Sequence, residues 1–433
     1  MFFTKALHIG FSSVFALIIG LIFNKFLALY YPFEYIGSFG LIKSYISTFV
    51  NIILIGINYS YFFLHKSQVV EGNIPNKLFM GKAHTYLIIN VIVLLSGLVV
   101  FFLGFDVNKY FLTAACVASV VALTKVYMQN DAVHNRFHRY FIYTGTQALI
   151  LCGGLGISLL FGTELINSVI FCSTSVLSIQ IIYIFFSNIK KNYQILLPDI
   201  MSFYMESIKY SKFFFIHVFI NGIIISLVQY CISIFDKMFL TEFNVYIQLA
   251  TYLSIFGSIF GTYLFPKLVK NSKSDEQYTI LSYALIAMLL MALIILAFFD
   301  QVVGILYKSG FVSLNFMFFL VINAKILEII NATQSIRYQS ELRFFYLYSV
   351  TFLSNLPMII YLMLVYLLDI EFSALLFIKL FFCSYVLQYV IYGYGNKKNI
   401  KSFAWITIIY IAYFLISKAI FIDSTPFQLL KNF

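Results

Sequence analysis

Charged residues are scarce in this 433-residue chain. Asp, Glu, Lys and Arg together make up 10% of it, against roughly 25% in an ordinary soluble domain. Hydrophobic residues make up 62%, and the mean hydropathy is +0.93. A soluble fold cannot hide that much apolar surface, because chains of this size divide into domains with polar skins. Disorder needs the opposite composition. Outer-membrane barrel strands would alternate over segments of about ten residues, and here the apolar runs are continuous. Metal-ligand spacing is also missing: Cys116, Cys152, Cys172, Cys231 and Cys383 all fall within apolar runs and read as small buried hydrophobes. There is no GxxxxGK[ST], HExxH, CxxC or GxSxG, no acidic pair of the DxD kind on an outside loop, and no large loop to house a polymerising site. The chain reads as a non-enzyme without cofactor or metal. The charge that is present is lopsided, with 28 basic against 17 acidic residues. It sits in short loops between apolar runs, so membrane orientation explains it and nucleic acid does not.

What remains is an all-α integral membrane protein, since spanning segments must satisfy their own backbone groups. Apolar runs long enough to span lie near 6–30, 41–63, 84–105, 110–128, 141–161, 164–186, 212–235, 245–268, 278–299, 311–333, 345–367 and 372–394, and a thirteenth lies at 403–422. The first follows Lys5 and has no small-x-small cleavage site, so it reads as a span and not as a removed signal. With the N-terminus in the cytoplasm, 19 of the 28 basic residues fall in inside loops. Four (Lys109, Lys237, Lys308, Lys431) fall outside and five within spans. One missed span would reverse that pattern downstream, so the count and the orientation support each other. The expected organisation is twelve spans in two six-helix lobes, residues 1–190 and 212–394, joined by a cytoplasmic linker at 191–211. A C-terminal hydrophobic segment at 395–433 makes twelve or thirteen spans. An echo between Phe23-Asn24-Lys25 and Phe235-Asp236-Lys237, each followed by Tyr-Ile, fits a duplicated chain.

An ionisable group in mid-bilayer costs roughly 2.5–3.5 kcal/mol on insertion scales, so each one needs a reason. Lys25 and Lys43 lie a turn or two from the outer ends of their spans, where a lysine can snorkel. Lys379 is about seven residues into span 12, roughly 10 Å deep. Lys325 and Glu328 stand three apart on one helix face and can pair. Lys418 ends the last run. Four in-span lysines facing one carboxylate would give a lumen of positive potential, suited to phosphate or acidic sugar, and arginine is absent from the spans. Asn51 and Asn58 in span 2, and Asn221 and Gln229 in span 7, read equally as interhelical hydrogen-bonding groups or lumen groups.

Three short stretches carry a family resemblance. The first is Tyr35-Ile36-Gly37-Ser38-Phe39-Gly40 after Glu34, similar to an EYG-x-F turn between spans 1 and 2. The second is Asp236-Lys237-Met238-Phe239-Leu240 with Tyr246 beyond it, and the third is Pro266 closing span 8 before a basic loop. In order and spacing they resemble the polysaccharide flippases of the MATE-like (MOP) superfamily, in particular the O-antigen (Wzx-type) flippases. Ile36 departs from the pattern, as does the thirteenth run. The resemblance implies a multi-pass protein of the bacterial inner membrane. It would carry undecaprenyl-pyrophosphate-linked oligosaccharide, an O-antigen or capsule repeat unit, to the periplasmic face by alternating access through a cationic cavity. The lipid bilayer and the lipid-linked oligosaccharide would be its partners, with a polysaccharide polymerase and a chain-length regulator as candidates. The residues expected to bind substrate are Lys25, Lys43, Lys325, Lys379 and Lys237, with Glu328 and Asp236 in ion coupling. The competing expectations are a MATE-type drug or metabolite exporter and a membrane-bound polysaccharide polymerase.

Overall fold

The computed structural model describes residues 2–54, 77–104, 109–133, 140–190, 201–202, 205, 209, 219, 222–254, 276–307, 316–340, 343–395 and 400–423. Among them there is no strand. The helices are α1 (Phe2–Tyr30), α2 (Glu34–Leu54), α3 (Lys77–Gly104), α4 (Lys109–Val133), α5 (Tyr140–Phe161), α6 (Leu165–Lys190), α7 (Gly222–Phe235) and α8 (Lys237–Ala250). They continue with α9 (Glu276–Ala297), α10 (Phe299–Leu306), α11 (Phe316–Ser340), α12 (Phe344–Leu368), α13 (Ala374–Gly395) and α14 (Ile400–Lys418). Eight of these are long and apolar enough to cross a membrane, or nine if α9 and α10, bent by 69° at Phe298, form one broken span. The thirteenth apolar run is α14, and it passes the same test. Pro266, Asn58, Asn221 and most of the basic loop residues lie outside the described residues.

Two compact units emerge, Met1–Leu27 with Ser38–Gln229, and Ala28–Gly37 with Tyr230–Phe433. The first unit runs on through the start of α7, and the α1–α2 connection belongs to the second. Packing explains the latter. A Cβ on Gly37 would stand 2.6 Å from Thr241 Oγ1 and 3.3 Å from the Thr241 backbone, and Asn244 Nδ2 donates to Gly37 O at 3.4 Å. Two of the sequence stretches that carry the resemblance thus touch each other, glycine against helix α8.

Within the first unit α4 is the central helix. Ala114, Ala115, Ala118, Ser119 and Ala122 are fully buried, and small side chains let neighbouring helices approach closely in lipid, where packing replaces the hydrophobic drive. In the second unit that place is taken by α11, with Phe318, Phe319, Val321, Ile322 and Ile326 at zero exposure. Aromatic clusters join its neighbours. Tyr246, Phe299 and Phe318 tie α8, α10 and α11, and Phe239, Phe243 and Phe377 tie α8 to α13. Helix α14 is built into this unit. Tyr410 donates to Asn323 Oδ1 on α11 at 3.3 Å, Phe414 packs on Phe319 and Phe382, and the Tyr389 and Thr407 hydroxyls are 2.7 Å apart.

The two echoed triplets are not equivalent in structure. Phe23-Asn24-Lys25 lies inside the unbroken α1. Phe235-Asp236-Lys237 straddles the junction of α7 and α8, where Asp236 adopts extended backbone and caps α8. Asparagine inside α1 leaves the helix running, whereas aspartate at a helix start satisfies an orphan N–H.

Candidate functional site

In the first unit the chemistry centres on Lys43. Helix α2 buries Phe39, Ile42, Ile46 and Val50, and Lys43 lies half-buried at the edge of that face. Its ammonium donates to Asn24 Oδ1 at 3.4 Å and stands 5.5 Å from the centre of the Phe23 ring. Asn24 and Phe23 are themselves buried. Among the described residues no carboxylate pairs with Lys43. An amide oxygen and a ring face compensate a buried cation only in part, so an anion reaching this point would complete its shell. Lys25 does not join it. One residue from buried Asn24, its side chain is exposed on the other face of α1.

Lys125 lies within α4, half-buried and about two turns before Val133, because the helix continues past the apolar run. Gln229 of α7 is buried with its Oε1 unpartnered. Nearby on that helix, Ser226 meets Thr48 of α2 at 2.8 Å.

In the second unit the polar groups are strung along α11. Lys325 Nζ meets Glu328 Oε1 at 2.8 Å, the pairing expected from their spacing, with side-chain exposures of 15% and 39%. Tyr385 of α13 lies beside the same carboxylate. One turn on, Asn331 donates to Tyr385 O at 3.0 Å and Gln388 Oε1 at 3.4 Å. These bonds tie α11 to α13 at this level. Asn323, Asn331, Thr333 and Gln334 are all buried on this helix. The sequence reading passed over them, although two amides flanking a charged pair in one apolar run was an available signal. Lys379 lies on the exposed side of α13 and does not approach this cluster.

Asp236 and Lys237 divide differently from expectation. Asp236 Oδ1 accepts from Phe239 N at 2.9 Å as the N-cap of α8, and Lys237 is exposed as the first helical residue. The Asp236 side chain therefore has a structural occupation. Asparagine caps about as well as aspartate, whereas alanine costs about 1 kcal/mol. Asp236→Asn is expected to keep both stability and transport, with Asp236→Ala losing stability. Thermal unfolding beside a transport assay separates capping from ion coupling, which would fail already in Asp236→Asn.

This architecture matches solved MATE transporters along nearly its whole length. The crystal structure of the eukaryotic MATE transporter AtDTX14 matches over 93% of this chain and 97% of that one, with TM-score 0.51 and 11% identity. The Vibrio cholerae MATE transporter VcmN, in its bent form, matches over 96% and 98%, with TM-score 0.51 and 10% identity. No protein-family model matches the chain, and no curated protein sequence does. At such identities the likeness is one of fold, and the fold is that of the MATE-type membrane transporters.

Proposed function

We propose that this chain moves undecaprenyl-pyrophosphate-linked oligosaccharide, an O-antigen or capsule repeat unit, from the cytoplasmic to the periplasmic face of a bacterial inner membrane by alternating access. The fold supports transport, and the motif stretches around Gly37 and Asp236 support the cargo. The observation that carries the reading is Lys43, a cation within the helix packing whose partners are an amide and a ring. Such a cation suits a phosphate-bearing head and would repel a cationic drug. Lys325 is the second cation assigned to this role, and Glu328 the group assigned to coupling. The exposed Lys25 and Lys237 are assigned to headgroup-level contacts with the anionic lipid carrier.

A MATE-type exporter of cationic compounds is the second reading, favoured by the fold likeness. It would draw on Glu328, but that carboxylate is already bound to Lys325. Purified protein in proteoliposomes decides between them. Lipid-linked oligosaccharide added to one leaflet is expected to become accessible to a glycan-cleaving enzyme at the other. Failure to flip it, together with efflux of a cationic dye, would establish the exporter.

A further inference from the structure

Lys125 carries a charge that nothing around it cancels. It is half-buried in α4, the central helix of the first unit, and among the described residues its ammonium has no ion-pair or hydrogen-bond partner. On α6 a second polar group is unmet. Gln180 Oε1 is sealed from solvent without a partner. Gln180 continues, at helical spacing, the stripe of buried Val169, Ser173 and Leu177, so it lies on the inner face of α6.

Helix register puts the two groups at one depth. Helices α4 and α6 pack on each other, and their starts are tied by Lys109 Nζ and Glu164 Oε2 at 3.0 Å. Because α5 returns between them, both run the same way. Lys125 and Gln180 each stand sixteen residues on from that bridge, about 24 Å along the helix axes. Lys43 belongs to a different level. Tyr45 stacks on Phe111 at 4.5 Å, which sets Lys43 beside the start of α4. The first unit therefore has two half-buried cations, one near each end.

An ammonium only donates and an amide oxygen only accepts. These two do not bond to each other, so a guest must bring an acceptor to one and a donor to the other. A cation would be repelled by Lys125, and a neutral guest leaves its charge uncompensated. An anionic phosphate next to a hydroxyl meets both demands. We propose that Lys125 and Gln180 form a second station for the cargo head, in which Lys125 binds the pyrophosphate and Gln180 accepts a hydrogen bond from a hydroxyl of the first sugar. This rests on the reading that the cargo is a pyrophosphate-linked glycan. With the N-terminus in the cytoplasm, this station lies on the entry side and Lys43 on the exit side.

The test is calorimetric binding of inorganic pyrophosphate and of glucose 1-phosphate to the full chain in phosphatidylcholine nanodiscs, with Lys43→Gln as the parent so that Lys43 does not contribute. Adding Lys125→Gln is expected to weaken both probes about tenfold or more, the scale of a charge-assisted hydrogen bond. Lys125→Arg is expected to keep most of the affinity, because the charge remains. Gln180→Leu is expected to weaken glucose 1-phosphate about fivefold, the scale of a neutral hydrogen bond, and to leave pyrophosphate unchanged. Thermal unfolding of each variant confirms that it is folded. Unchanged binding in Lys125→Gln overturns the proposal. So does a Gln180→Leu variant that shifts both probes alike or neither, which is the result for a glutamine that holds only water. Binding by the wild type that vanishes in Lys43→Gln alone overturns the second station and leaves the cargo reading standing. A wild type that binds neither probe overturns the cargo reading itself. Phosphatidylglycerol added to the discs is expected to leave both affinities unchanged. Competition from it would assign Lys125 to bulk lipid headgroups and overturn the proposal.

Discussion

Replacing Lys43 by glutamine is expected to abolish export of surface polysaccharide while the chain still inserts at normal levels. Lys43 reaches Asn24 and the Phe23 ring from a half-buried position. A charge-assisted hydrogen bond to an anion is worth roughly 1.5–3 kcal/mol, and losing it costs about ten- to a hundredfold in affinity. Glutamine can still hydrogen-bond to Asn24, so the packing persists and the charge alone is lost. Lys43→Arg is expected to retain part of the activity, since arginine keeps the charge but presents a broader, planar head. Complementation of a deletion strain, read as surface glycan against membrane protein level, gives the answer. Full export by Lys43→Gln would remove Lys43 from the transport pathway.

The second large effect concerns folding. A Cβ on Gly154 of α5 would lie 2.5 Å from Val169 Cγ2, 2.7 Å from Val169 Cα and 2.9 Å from Val169 N on α6. The side-chain atom can yield but the backbone cannot, so α5 and α6 must separate. Overpacking costs about 1–3 kcal/mol for modest insertions, and leucine here is expected to leave little folded protein. Gly156, one residue beyond the intervening Leu155, has nothing within 4 Å of its built Cβ, so Gly156→Ala is expected to be tolerated. Val169→Ala is not expected to rescue Gly154→Leu, because the backbone clash persists. Detergent-solubilised thermal stability distinguishes the two glycines. Equal tolerance would mean that the α5–α6 contact is looser than described.

The helices were largely legible in the sequence because spanning length and continuous apolarity are dictated by the bilayer itself. The facing of individual lysines was not. Lys25 and Lys43 occupy similar depths by counting, yet one is exposed and the other packs inside, because helix rotation is set by neighbours. In α1 the apolar residues run all round the helix and no inner face can be read from them. The spacing of Lys325 and Glu328 did foretell their contact, since three residues apart on a helix is a local relation. The bond from Asn331 to Tyr385 O was invisible because Tyr385 comes from another helix, α13. Asp236 was readable after all: an aspartate directly before an apolar helical run is a start signal, and its family-like setting drew attention to charge instead of capping.

The place of the α1–α2 connection was least legible. Residues 28–37 join the second unit through the contact of Gly37 with Thr241 and Asn244. Close approach of two backbones leaves only a glycine as its trace, and the sequence contains 21 of them.

The most direct measurement of the central claim is deletion of the gene in its native host, followed by extraction of lipid-linked glycans and determination of which membrane face they occupy. The account predicts complete single repeat units trapped on the cytoplasmic face and loss of surface polysaccharide, both restored by the wild-type gene. Single units reaching the periplasmic face without growing into chains would indicate a polymerase and contradict the account, and an unchanged surface glycan would contradict it in favour of an exporter of other cargo.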